Sequence, residues 1–176
     1  CYVAIMAVLP ILVYPHKTLR TVAEPVEEVN DEIRQIVDDM AETMYDAPGV
    51  GLAAPQVGIS KRIFVVDTAV DDEPANLMVF INPQFVKREG DIVWEEGCLS
   101  FPGIHEEVTR ASHVVVKALD RDGKPFEVEA EGLTAVALQH ENDHLDGVLI
   151  VDQVSFFKKR QIERDLRKKA NLRATG

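Results

Sequence analysis

The sequence predicts an α+β fold: antiparallel β-strands packed around a central helix that carries an HExxH pattern, with an N-terminal helix before and a C-terminal helix after. Three observations carry that prediction. Apolar residues recur at helical spacing in three stretches, near residues 33–44, 133–144 and 162–170. Strand-like runs flank the turn signal Asp122-Gly123. The middle helical stretch ends in His140-Glu141-Asn142-Asp143-His144, which sets polar chemistry into a core-facing stripe. A length of 176 residues fits one domain, residues 1–176, with a sizeable core.

The elements are justified in chain order. The opening CYVAIMAVLPILVY is apolar, but it lacks the basic start and cleavage site of a signal peptide, and Pro10 interrupts it. It reads as a buried extended segment. Asn30 can cap a helix along which Ile33, Ile36, Val37, Met40 and Met44 share a face, ended by Pro48. Residues 49–58, GVGLAAPQVG, read as a glycine-rich loop. Residues 62–66 read as a buried strand and 78–81 as another, stopped by Asn82-Pro83. Residues 113–119 and 125–130 form a hairpin. In its second arm Phe126, Val128 and Ala130 alternate with Glu127, Glu129 and Glu131, so one face is buried and one is wet. Leu133, Val136 and Ala137 then change the period to a helix, His140 and His144 continue the stripe, and Gly147 suits the exit. Ser155 can cap a last helix, residues 155–173, with a thin seam of Ile162, Leu166 and Ala170.

Composition excludes several classes. With 46% hydrophobic and 28% charged residues the chain is not disordered. No apolar run reaches the roughly 20 residues of a membrane helix. Two cysteines, Cys1 and Cys98, make no disulfide scaffold and favour a reducing, cytoplasmic setting. The net charge of −11 is uneven: residues 158–173 hold eight basic and two acidic side chains, so this tail is +6 and the rest −17. An acidic body argues against general nucleic-acid binding, while the tail can touch a polyanion or remain a solvated face. A monomer is the expected state.

Two histidines four apart on a helix can grip one metal ion, and the glutamate between them can serve as a base toward water. Without a metal they would be core histidines bonded to neighbours. The third ligand decides the chemistry. The pattern continues as HExxHxxGxx through Gly147 but ends at Ile150, which cannot bind metal. Glu163, the only glutamate after His144, is a distant candidate, or else an exposed ion-pair partner of Arg160 and Arg164. Cys98, within Trp94-Glu95-Glu96-Gly97-Cys98-Leu99-Ser100, is a candidate thiolate ligand or a small buried hydrophobe. A nucleophilic Cys98 with His140 as base would leave Glu141 and His144 idle.

Three segments together resemble the peptide deformylases: Gly49-Val50-Gly51-Leu52-Ala53-Ala54-Pro55-Gln56, Glu96-Gly97-Cys98-Leu99-Ser100, and Gln139-His140-Glu141-Asn142-Asp143-His144. They are similar to that family's GxGxAAPQ, EGCLS and QHExDH motifs in order and spacing, and the likeness runs from Tyr14-Pro15 to the terminal helix. EGCLS resembles the bacterial type 1 form. The resemblance implies an enzyme that removes the formyl group from N-formylmethionyl nascent peptides. It implies Cys98, His140 and His144 as metal ligands, Glu141 as acid/base, and the Gln56 amide with the Leu99 N–H as holders of the reacting oxygen. Fe2+ is the implied native ion, with Zn2+, Ni2+ or Co2+ as substitutes. Two departures stand out. Asn142 occupies a position commonly apolar in the family, of little consequence if it faces away from the stripe. Cys1–Ile5 look like an extension, so Cys1 is no ligand.

Around that centre, Gly49 and Gly51 would let a peptide approach and pair like an added strand. Pro55 and the absence of GxxxxGK[ST] argue against a phosphate cradle. Val50, Leu99, Leu133, Val136 and Ala137 are candidates to line an apolar pocket for the methionine side chain, or plain core. Glu96 and Gly97 border the same site, with Glu96 expected to pair with Arg110. The resemblance also points to a ribosome contact through the basic C-terminal helix, with a plain solvated face as the alternative.

Overall fold

The computed structural model describes residues 7–70 and 72–175, with side chains as far as Lys169. Its elements are α1 (Asp31–Asp46), β1 (Gly51–Ala53), β2 (Ile63–Val66), β3 (Met78–Glu89), β4 (Ile92–Cys98), β5 (Phe101–Arg110), β6 (His113–Leu119), β7 (Pro125–Glu131), α2 (Gly132–Leu145) and α3 (Phe156–Thr175). The expected extension Cys1–Ile5 lies outside the described residues, as does the Ala170 side chain.

An antiparallel sheet runs in the order β1-β2-β3-β6-β7, and β4 and β5 form a separate antiparallel pair. The architecture is α+β, as the sequence predicts. β2 explains the layering. Its side chains alternate faces, and all four are fully buried because both faces are covered. Phe64 and Val66 turn toward α2, in a cluster with Phe80, Val114, Val116, Leu138 and Leu145. Ile63 and Val65 turn toward α1, against Val37, Met40, Met44 and Ile81. A third cluster joins Ile162 and Leu166 of α3 to Phe101, Ile104 and Val108 of β5.

The local signals act as read. The Asn30 side chain accepts from Ile33 N–H at 3.1 Å, and the Ser155 hydroxyl from Lys158 N–H at 3.2 Å. In the β6–β7 turn Asp120 Oδ1 accepts from the N–H groups of Asp122 and Lys124, each at 2.9 Å. At the end of α2, Gly147 takes a left-handed φ of 73°. Arg62 donates to the Leu145 carbonyl at 3.1 Å and pairs with Asp146 at 2.9 Å, which satisfies and holds that helix end. α2 is buried on almost every side: ten of its fourteen residues are buried, so its position is fixed by packing rather than by a cap.

Several expectations need correction. The strand beginning at Met78 does not stop at Asn82-Pro83 but continues to Glu89. The register shifts between Ile81 and Gln84, and Asn82 takes φ 53° there. This bulge absorbs the missing N–H of Pro83. The Asn82 side chain holds it by accepting from Val26 N–H and donating to Val26 O, both at 2.8 Å. The described part of the opening segment is not buried. Ala7–Val13 form no helix or strand, none is buried, and Val8 is 51% exposed. The segment lies across the surface as a strap, Leu12 N–H donating to Gln56 O at 2.7 Å and Tyr14 N–H to Ser100 O at 2.9 Å. The glycine-rich loop is partly regular: Gly51–Ala53 pairs with β2 as an edge strand and Ala54–Val57 forms a 3-10 turn. β4 and β5 went unforeseen because Glu, Gly and Pro break their alternation.

Candidate metal centre and its cleft

Two elements build the centre. α2 presents His140 and His144 one turn apart on one face. β4 ends at Cys98, where a register shift against β5 between Gly97 and Cys98 turns the chain. Cys98 Sγ lies 3.3 Å from His144 Nε2, and the two Nε2 atoms are 3.3 Å apart. The three candidate ligand atoms all fall within 4.8 Å of one another. A tetrahedral ion with metal–nitrogen bonds of about 2.0–2.1 Å sets its nitrogens about 3.3–3.4 Å apart. The spacing and the mixed N/S donor set therefore fit a borderline-soft divalent metal.

A buried network orients this cluster. Glu96 Oε1 accepts from His140 Nδ1–H at 2.8 Å, which leaves Nε2 as the lone-pair nitrogen facing the cluster. Arg110 holds Glu96 through two bonds, Nε at 2.6 Å and NH2 at 2.9 Å, and reaches Asp143 at 2.6 Å with its NH1. The pairing of Glu96 with Arg110 is thus present and extends further than expected. Asn142 does not face water: it is 6% exposed, and its amide points toward Asp146 at 3.4 Å.

Electrostatics divide the buried groups. Burial opposes charge on both imidazoles. Beside His140 the carboxylates of Glu141 and Glu96 and the Cys98 sulfur outweigh it and raise its pKa well above the ordinary value. His144 goes well below, through burial and the charge on His140 and Arg110. Burial lifts Glu96 too, but its bonds from His140 and Arg110 outweigh that and leave it below the usual range. Burial pushes Glu141 up to about 7, with His140 and Arg110 pulling down and Glu96 and Asp143 pushing up. Glu141 Oε1 is buried without a donor among the described residues, the condition of an acceptor awaiting a proton from a guest.

Gln56 faces the cluster from the 3-10 turn. Its Oε1 accepts from Ala53 N–H at 2.9 Å, which fixes the amide so that Nε2 reaches Ser100 Oγ at 3.1 Å and points toward Cys98 Sγ at 3.6 Å. Gly51 stands closer still. A Cβ there would lie 2.6 Å from Glu141 Oε2, so only glycine lets β1 approach the carboxylate.

These groups open into a cleft of about 620 Å³, walled by Gly49, Val50, Gly51, Gln56, Gly97, Cys98 and Leu99, with His140 and Glu141 at its floor. A smaller cavity of about 150 Å³ adjoins it, lined by Leu133, Val136, Ala137 and Glu96 and sharing Val50, Gly97, His140 and Glu141. Every site residue singled out from sequence borders one of the two, except His144, which reaches the cluster from beneath with 1% exposure. Glu163 lies outside the cluster and accepts a hydrogen bond from Tyr14 OH at 2.9 Å. Sequence reasoning missed Trp94 in the side cavity, the cleft wall from Phe101 to His105, and the role of Ser100 in holding Gln56. Ser100 sat within a recognised motif, whereas the wall left no periodic signal.

Residues 8–160 match the family model described as polypeptide deformylase. A peptide deformylase of Alkalilimnicola ehrlichii is 54% identical over 163 residues, 93% of this chain and 91% of that protein. The crystal structure of a peptide deformylase from Legionella pneumophila superposes with a TM-score of 0.90 at 47% identity, covering 97% of this chain and 99% of that one. A Met-Ala-Ser bound peptide deformylase from Acinetobacter baumannii is similar with a TM-score of 0.80 at 37% identity, over 85% and 100% of the two chains.

Proposed function

The chain belongs to the polypeptide deformylase family, and from that membership we propose that it removes the formyl group from the N-terminal formylmethionine of new polypeptides, releasing formate. The observation that carries the proposal is the convergence of Cys98, His140 and His144 beside the buried Glu141 carboxylate, whose Oε1 has no partner among the described residues, at the floor of a cleft with an apolar side cavity.

Cys98 as thiolate and the neutral Nε2 atoms of His140 and His144 would hold one divalent ion, Fe2+ in our assignment, with Zn2+, Ni2+ or Co2+ able to substitute. Such an ion supplies a Lewis acid and makes water a competent nucleophile near neutral pH. The protein's own groups do the rest. Glu141 takes the proton of the attacking water and delivers it to the departing amine. The Gln56 amide and the Leu99 N–H hold the oxygen that gains charge, each worth about 3–4 kcal/mol in such a role. Glu96 keeps His140 in its Nδ1–H form. The peptide lies along β1 as an added strand, with its methionine side chain in the cavity of Val50, Trp94, Leu133 and Val136.

The outer face of α3 is our candidate for a ribosome contact: Phe156 and Phe157 are 66% and 82% exposed beside its basic residues. We take the protein to act as a cytoplasmic monomer. No described helix is long and apolar enough to cross a membrane.

The test is formate release. Protein purified without oxygen and loaded with Fe2+ or Ni2+ is offered formyl-Met-Ala-Ser beside acetyl-Met-Ala-Ser. Formate from the first with no cleavage of the second is expected, and Cys98→Ala should lose the bound metal. Folded, metal-loaded protein that releases no formate refutes the proposal.

A further inference from the structure

The basic tail is not uniformly turned to solvent. Lys158 pairs with Glu106 of β5 at 3.3 Å, and Lys169 Nζ donates to the Pro102 carbonyl at 2.7 Å. Pro102 and Gly103 open β5, and both line the cleft. Gly103 takes a left-handed φ of 74°, and a side chain there would overlap the Lys169 ammonium. The lysine thus occupies the room that a side chain at Gly103 would need. Beneath this contact, Ile162 and Leu166 bury against Phe101 and Ile104 of the same strand. A second line of contacts runs from α3 through the strap. Glu163 accepts from Tyr14 OH at 2.9 Å, Tyr14 N–H donates to Ser100 O at 2.9 Å, and Ser100 Oγ accepts from Gln56 at 3.1 Å. The wall at Pro102 also borders a cavity of about 330 Å³ that it shares with Tyr14, Glu163, Leu166 and Lys169, so the wall is not packed solid on that side.

We infer that Lys169 is a positioning residue for the outer end of the cleft. Its bond to the Pro102 carbonyl sets the height of the Pro102–Ile104 wall and thereby the affinity for peptides long enough to reach it. This rests on the proposed deformylase reading, because it assigns that cleft to a peptide. The reacting end is served by α2, Gln56 and Gly51, whereas the hydrogen bond of Lys169 goes to Pro102 at the other end of the cleft. Chain length of the substrate therefore separates the two regions.

The experiment compares wild type, Lys169→Met, which keeps the stem and removes the donors, and Lys169→Arg, which restores a donor. Each is assayed with formyl-Met amide, formyl-Met-Ala-Ser and a formylated hexapeptide, alongside thermal unfolding. In Lys169→Met, KM should rise about three- to tenfold for the longer substrates, with kcat and the short substrate unchanged, and Lys169→Arg should recover most of the loss. Equal KM values at every length overturn the inference. So does a uniform loss on all three substrates that tracks a lowered melting temperature, since that marks a merely structural contact. If wild type releases no formate, the proposed function falls by itself. The positioning role is then decided by titration calorimetry of Met-Ala-Ser against Met amide: weaker tripeptide binding in Lys169→Met supports it, and unchanged binding rejects it.

Discussion

Gly51→Ala adds one methyl group beside the proposed acid/base. The new Cβ would stand 2.6 Å from Glu141 Oε2, 2.9 Å from Cδ and 3.0 Å from Cγ. Non-bonded carbons rest about 3.5–4.0 Å apart, so the side chain is overlapped by about 0.5 Å or more. Glu141 has little room to yield, being 4% exposed on a helix buried on almost every side. Relief must come from displacing the carboxylate or from prising β1 off α2. A misplacement approaching 1 Å costs about 10²-fold in rate, or roughly 2.7 kcal/mol of barrier. We expect kcat for formyl-Met-Ala-Ser to fall by about that factor, with a smaller change in KM. Overpacking should also cost about 1–3 kcal/mol of stability, lowering the melting temperature by about 2–10 °C. Gly49→Ala is the control. Its Cβ meets Leu99 Cδ1 at 2.9 Å, but that is the end of a half-buried side chain at the cleft lip, which can rotate away. Because Gly49 borders the cleft and not the carboxylate, its effect should fall mainly on KM, with kcat reduced clearly less than in Gly51→Ala. The reasoning is refuted if Gly51→Ala keeps its kcat, or if Gly49→Ala loses as much.

Three further outcomes are expected. Arg110→Ala strands Glu96 and Asp143 without their cation, Glu96 at 5% exposure, and should cost about 3–5 kcal/mol in urea unfolding; a loss below about 1 kcal/mol rejects that reading. Asn82→Ala puts an ordinary side chain at φ 53° and removes two hydrogen bonds to Val26, for a loss of about 2–4 kcal/mol with activity per folded molecule unchanged. Burial lifts the Asp67 carboxyl, but bonds from Tyr45 OH and from the N–H groups of Ala69 and Asn76 outweigh it and hold its pKa below the ordinary value. The stability this gives is full above the unfolded pKa of about 3.9 and is lost as pH falls through the lower folded value. Tyr45→Phe removes one donor, so acid unfolding should begin at a higher pH than in wild type, with no change in the pH dependence near neutrality; an unmoved acid limb counts against the assignment.

The helices were legible because each announces itself locally. Asn30 and Ser155 are caps, the apolar residues of α1 keep one period, and the α2 stripe runs into the histidines. β2 was legible as a wholly apolar run. β4 and β5 were not, because their pairing is non-local and their residues serve two masters: Glu96 and Gly97 build the centre instead of marking a strand face. Asn82-Pro83 misled for a related reason. A ladder break and a strand end look alike in sequence, and only the side chain of Asn82 folding back on Val26 distinguishes them. Cys98 could be named as a ligand candidate, yet chain order could not choose between it and Glu163. That choice depends on Tyr14 reaching across 149 positions to engage Glu163 away from the cluster.

The near-complete burial of α2 bears on how such a chain can change over generations. A helix with one wet face offers chance substitution a band of neutral ground, as the outer side of α3 does. α2 offers almost none, so a change of a single methylene meets close packing on one side and, within a turn, the groups that hold the centre. A substitution among its ten buried residues therefore bears on folding and, near His140 and His144, on the geometry of the centre as well. Room for substitution without such a cost lies outward, on the exposed face of α3 and the surface loops.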